Sequence, residues 1–387
     1  MLKWRLWWLT YAAFFLDGLG TVLLGPLLPR LESLWALGDS GGGALLSAQF
    51  LGMSLGTIFV LRARRRAMKT GAACTWAGLS SIALLVLWGG RLAGNHLLIV
   101  LACAGFLVHG FGLGQVITAL NLRAGAESEM RQSRLSFGNA LWSAGAICGP
   151  MAMSLALAGR ALGGWLLALA ILLPAMWLWS ARGDRTDPNA LDSPSGAGTE
   201  LAVVALFGAL MFLYGGAESC LSGWVTTFAR RSGGGTLVSP LSTSAFWFGV
   251  AGGRAVAAGL LRSWREREAL LLLIAGAALA SVGLVFADSM GMISAWAVLA
   301  GMMLGPAFAV VVAGLLNQEA SARQTGTVLA MCGLGASVMP LLLGVVSQRA
   351  GSLREALALP GLCLVGMLVL VGWRVRDPVR AGIARGR

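Results

Sequence analysis

The sequence predicts an all-α membrane protein of twelve transmembrane helices in two six-helix, pseudo-symmetric halves. Three observations carry that prediction: an excess of apolar residues, a train of apolar runs long enough to cross a bilayer, and an echo between the two halves of the chain. Of the 387 residues, 57% are hydrophobic and 12% are charged. A soluble domain carries about 25% charged residues. A chain this apolar must use lipid as its solvent.

A helix crossing a bilayer needs about 20 predominantly apolar residues. Twelve runs qualify, near 6–29, 44–61, 71–89, 96–122, 135–158, 162–180, 200–224, 242–261, 269–286, 293–316, 327–347 and 357–373. The opening "MLKWRLWWLTYAAFFLDGLG" is basic and then apolar, like a signal peptide. Its apolar stretch is too long, holds Asp17 and lacks a small-residue cleavage site, so it reads as a retained first helix. The longest polar connection, "SARGDRTDPNALDSPSGAGTE", follows the sixth run and has the composition of a flexible linker. The expected organisation is a first half at 1–180, a linker at 181–199, and a second half with a short tail at 200–387.

Charge placement orients the spans. With the N-terminus in the cytoplasm, the inside segments carry 21 of the 29 Lys and Arg residues. The outside loops carry seven (Arg30, Arg91, Arg160, Arg230, Arg231, Arg349 and Arg354), and Arg254 falls within a span. This bias places both termini and the linker in the cytoplasm of a bacterial-type inner membrane. The net charge of +13 then serves topology and contact with anionic lipid, not nucleic acid. Trp4, Trp7, Trp8, Trp35, Trp88, Trp177, Trp179, Trp264 and Trp373 lie near span ends, as an interfacial belt would. Trp76, Trp142, Trp224 and Trp247 do not, and either line a pore or pack in the core. The six cysteines sit in apolar runs with no CxxC pair, so packing is the expected role and neither metal nor disulfide.

The halves echo each other at an offset near 200 residues. Span two ends "GMSLGTIFVLRARRR" and span eight ends "GVAGGRAVAAGLLRSWRERE". Span four reaches Asn121 in "VITALNLRAG", and span ten reaches Asn317 in "VVAGLLNQEA". Asp17 and Glu218 stand 201 positions apart in spans one and seven. A duplicated six-helix unit places its binding site between the halves near the bilayer midplane. Gly52 with Gly56, and Gly145 with Gly149, have the GxxxG spacing of close helix contact.

Ionisable residues inside spans are costly and mark function or pairing. Asp17 lies midway between Arg5 and Arg30. It is either a structural acid paired with a base or a carboxyl that loads and releases protons. Tyr214, Glu218 and Ser222 follow at helical spacing and form a polar face in an apolar helix, which points to a cavity. Glu218 is expected to hold a proton, the substrate, or Arg254. Arg254 needs a carboxylate or backbone carbonyls as partners; a gating pair and substrate contact are equally open. Gln49, Gln115, Asn121, Asn139, Trp142 and Trp247 are the other expected cavity residues, because amides bind hydroxyls and indole faces stack on sugar rings. His109 is either a core histidine or a relay. An efflux cavity for lipophilic drugs would carry fewer amides and more phenylalanines.

These residues resemble the major facilitator superfamily across the whole chain. "YGGAESCLSGW" is similar to the Tyr-x-Gly-x-Glu…Trp pattern in the seventh helix of its fucose–galactose–glucose:proton symporter family. "FWFGVAGGR" is similar to that family's Phe-Trp-x-Gly…Gly-Arg, and "GLGQVITALN" to its fourth-helix motif. The resemblance implies protonation at Asp17. Ile117 stands where some members carry glutamate, so coupling rests mainly on Asp17. The loop "GTIFVLRARRRAMKTG" keeps the superfamily's basic residues but lacks its aspartate.

There is no Walker A lysine motif or HExxH, so neither an ATP-driven pump, an enzyme nor a cofactor is expected. The expectation is a monomeric secondary transporter importing a sugar-like solute with protons. The rivals are a proton-driven exporter of drugs or metabolites, and a non-transporting membrane sensor or scaffold.

Overall fold

The computed structural model describes residues 2–125, 131–159, 161–181, 198–260 and 265–373. Most of the expected linker (182–197), Trp264, the basic tail after Trp373, and the side chains of Trp4 and Trp373 lie outside the described residues.

The first half comprises α1 (Leu2–Thr21), α2 (Leu24–Trp35), α3 (Asp39–Ala63), α4 (Ala67–Trp88), α5 (His96–Gly125), α6 (Arg131–Ala158) and α7 (Leu162–Ala181). The second comprises α8 (Leu201–Arg231), α9 (Leu241–Leu260), α10 (Glu266–Val285), α11 (Met290–Leu316), α12 (Ala322–Ala350), the short α13 (Leu353–Ala356) and α14 (Ala358–Trp373). Among the described residues, 11 segments are long and apolar enough to cross a membrane. The twelfth span, α9, opens with Leu241-Ser-Thr-Ser and carries Arg254, which lowers its hydropathy.

Span one is broken. Pro26 has no N–H, so the carbonyl of Val22 loses its intrahelical donor and the chain turns at Val22–Leu23 before α2 begins. The bonds beside the break are stretched, at 3.4 Å from Val22 N to Gly18 O and 3.4 Å from Leu23 N to Gly20 O.

Packing repeats between the halves. The pairs α3–α5, α1–α6 and α4–α7 recur as α9–α11, α8–α12 and α10–α14. Glycines let these backbones touch. A Cβ on Gly52 would lie 2.1 Å from Leu107 O, and one on Gly249 2.1 Å from Val298 O. A Cβ on Gly18 would lie 1.9 Å from Trp142 O, and one on Gly215 2.2 Å from Cys332 O. Gly52 and Gly249 are 197 positions apart, as are Gly18 and Gly215. The equivalence expected between Asp17 and Glu218 is therefore off by one helical turn: Asp17 corresponds to Tyr214, and Thr21 to Glu218. Acids are conspicuous in sequence, but the repeat register is set where backbones meet.

The halves face each other through α3–α12, α6–α9 and α2–α8. Trp8, Trp88 and Trp179 are exposed as an interfacial belt requires. Trp35 and Trp177 depart from that expectation. Both are buried, and their indoles donate to Leu85 O at 3.2 Å and Ala13 O at 3.4 Å.

Candidate functional site

A cavity of about 610 Å³ lies between the halves. It opens toward the end of the bundle where α7 stops and α8 starts; Thr57, Ile58, Gly326 and Leu329 stand at that mouth. Its walls are mostly apolar, with Phe50, Met53, Phe308 and Leu329 prominent. The polar residues on its wall include Gln49, Thr57, Thr118, Trp142, Glu218, Ser219, Ser222 and Trp247.

Asp17 sits behind this wall. It is fully buried, and its Oδ2 accepts a hydrogen bond of 3.1 Å from Trp142 Nε1. Oδ1 has no partner. The Trp142 ring faces the cavity and meets Trp247 of the other half edge to face, with centroids 5.4 Å apart. Trp76 is exposed and Trp224 buried, so only two of the four non-belt tryptophans line the cavity.

Gln49 serves the break in span one. Its Nε2 donates to Thr21 O at 2.7 Å, while Oε1 makes no hydrogen bond. Thr21 Oγ1 caps Asp17 O at 2.9 Å. His109 lies 3.4 Å from Gly20 O through Nε2 and does not line the cavity.

In α8, Glu218 and Ser222 line the cavity, and Tyr214 donates from behind to Glu218 Oε1 at 2.8 Å. Arg254 takes the carbonyl alternative: its Nε donates to Gly305 O at 3.2 Å, and it makes no ion pair among the described residues. Thr57, its counterpart in the repeat, likewise donates to Gly114 O at 3.3 Å.

Three expected cavity amides lie elsewhere. Gln115 accepts a short hydrogen bond from Thr70 and donates to Phe111 O at 3.3 Å, tying α5 to α4. Asn139 Nδ2 donates to Asn121 Oδ1 at 3.0 Å, tying α6 to α5. None of the three lines the cavity.

The far end is closed by a cluster not foreseen as a site. Arg231 of α8 reaches Asp39 of α3 at 2.5 and 2.9 Å, and Glu32 of α2 at 3.2 Å. Ser347 of α12 also donates to Asp39, and Ser40 Oγ donates to Gln348 at 2.5 Å. Each of these contacts joins the two halves. The sequence signal was present: an arginine on the side where basic residues are scarce, with two acids at the ends of neighbouring spans.

No protein-family model and no curated protein matches the chain. Solved structures do. A variant of the E. coli fucose:proton symporter aligns at 17% identity and TM-score 0.61, covering 95% of this chain and 98% of that one. A D-xylose–proton symporter aligns at 12% and 0.78, covering 96% and 97%. A bacterial homologue of the human lysosomal transporter Spinster, inward-facing and occupied, aligns at 12% and 0.70, covering 97% of each. The chain is a multi-pass membrane protein with the major facilitator fold.

Proposed function

We propose that the protein is a proton-coupled secondary transporter of a small, sugar-like solute, working by alternating access across the bacterial inner membrane. The observation that carries this reading is the Asp17–Trp142 hydrogen bond: a buried carboxyl touches the indole that lines the cavity and meets the opposite half. Residues 1–180 and 200–387 are the two moving bodies of a monomer, joined by 181–199. Both termini are cytoplasmic, so the present state is inward-open, with the Arg231 cluster as the closed outer gate.

Among the described residues, Asp17 has one side-chain donor and no cation in an ion pair with it, a setting that suits an acid carrying its proton. Releasing it leaves an anion whose only hydrogen-bond donor among the described residues is Trp142, so proton state is transmitted to the cavity wall. The aromatic pair offers faces for sugar C–H groups. Glu218, held by Tyr214, accepts hydroxyl donors; Gln49 Oε1 and Trp247 Nε1 are buried and unpartnered among the described residues, and serve a solute only where its entry exposes them. Gln115, Asn121 and Asn139 act in helix pairing and not in solute contact.

The apolar walls favour a second reading, export of an amphipathic amine against Glu218. Uptake into proteoliposomes under an imposed proton gradient separates the two. Accumulation of a hexose or deoxyhexose supports import; expulsion of amines with no sugar accumulation overturns it. Full gradient-driven accumulation by Asp17→Asn would remove Asp17 as the proton carrier.

A further inference from the structure

We propose that a second cavity, on the gate side of the fold, binds a phosphate group and thereby clamps the two halves in the present state. This cavity, of about 520 Å³, is separate from the central one. Arg30 and Ser33 of α2 line it from the first half, and Thr226, Arg230, Thr236 and Ser239 from the second.

No acid lines it. Arg231, one residue on, is neutralised by Glu32 and Asp39, yet Arg30 and Arg230 face a common space without a carboxylate between them. Arg230 Nη1 donates to Gly234 O at 2.7 Å, which fixes the guanidinium and leaves its other N–H groups available. An anion in the shared space gains from both positive charges at once. Guanidinium geometry matches phosphate oxygens two at a time. The remaining wall is apolar, with Leu87 and Leu157 running toward the membrane face. A phosphate ester with an apolar stem fits that combination: the headgroup of an anionic phospholipid or a soluble phosphate. Because one arginine belongs to each half, the bound anion favours the gate-closed arrangement. The site is independent of the solute reading above.

The test is binding to the purified full chain, with a soluble and a membrane probe. Native mass spectrometry counts phosphatidylglycerol retained from mixed phosphatidylglycerol–phosphatidylcholine nanodiscs. Thermal unfolding is followed against inorganic phosphate and glycerol phosphate. Wild type should retain phosphatidylglycerol, and the Arg30→Gln/Arg230→Gln pair should lose about tenfold in affinity. The Arg91→Gln/Arg349→Gln pair, equal in charge change but outside the cavity, should bind as wild type. Stabilisation by the soluble phosphates identifies a soluble source; retention of lipid alone identifies the membrane. Equal binding by wild type and the Arg30/Arg230 pair overturns the proposal, as does equal loss in the control pair. If the glutamine pair fails to fold, Arg230→Lys keeps charge but loses the fork; it should weaken binding about threefold, and no change would also overturn the site.

Discussion

Replacing Arg231 with glutamine should release the closed end of the bundle. Arg231 holds Asp39 through two hydrogen bonds, of 2.5 and 2.9 Å, and Glu32 through a third of 3.2 Å. Its side chain is 41% exposed, whereas Glu32 and Asp39 are 10% and 12% exposed. A fully exposed pair contributes at most about 1 kcal/mol, and stripping one partner from a fully buried pair costs about 3–5 kcal/mol. This cluster lies between those limits, since glutamine leaves two nearly buried acids beside each other. A loss of about 2 kcal/mol shifts the closed-to-open ratio about 30-fold. Pulsed EPR distances between labels at Ala93 and Leu237, in a background with native cysteines replaced, read that ratio directly. Arg231→Gln should move population to longer distances, and adding Asp39→Asn should reverse part of the shift. High salt should mimic the single variant weakly, because the arginine is partly screened. An unchanged distance distribution in Arg231→Gln refutes the cluster as a gate.

Other perturbations probe the central site and the framework. Trp142→Phe keeps the ring but deletes the donor to Asp17. Solute exchange should persist while proton-driven accumulation falls at least about tenfold, and equal loss of both would make Trp142 a binding residue only. Gln49→Ala strips the Thr21 carbonyl of its partner at the helix break, and should cost about 1–3 kcal/mol in chemical unfolding. Gly18→Ala drives a methyl against the Trp142 carbonyl and should destabilise by about 1–3 kcal/mol, whereas Gly20→Ala meets only movable leucine side chains and should cost less. Amide exchange at 22–25 should outpace exchange at 219–222, because span one is broken where α8 is continuous.

Sequence reading recovers the spans because hydropathy is summed over some twenty residues and tolerates error at any one. It recovers the duplication but not its register. Asp17 and Glu218 draw the eye as the acids of spans one and seven, whereas helix contacts are set by Gly18, Gly52, Gly215 and Gly249, whose role shows only when a neighbouring backbone is placed against them. The break in span one had a local sign in Gly25-Pro26, masked by the leucines around it. Trp142, Trp247, Gln49 and Glu218 reach the cavity wall as expected, since they sit on α6, α9, α3 and α8, the helices that face across the halves. Gln115, Asn121 and Asn139 do not, because an amide on a buried helix can as readily tie two helices as face a cavity. Periodicity places a polar residue on a face but leaves that face's neighbour unknown.

The glycine contacts also set a mechanical scale. With carbonyl pressed against the α-carbon of the next helix at Gly52, Gly56, Gly110 and Gly114, α3 and α5 meet along their middles with little that can yield, so the pair tilts as one lever. At 1.5 Å per residue, the 25 residues of α3 span about 38 Å. A tilt of about 10° about its middle carries each end through about 3 Å. Added to the 2.5 and 2.9 Å bonds that tie Asp39 at the start of α3 to Arg231, that stroke takes donor and acceptor out of hydrogen-bond range, so a modest rigid-body rotation is large enough to part the halves there.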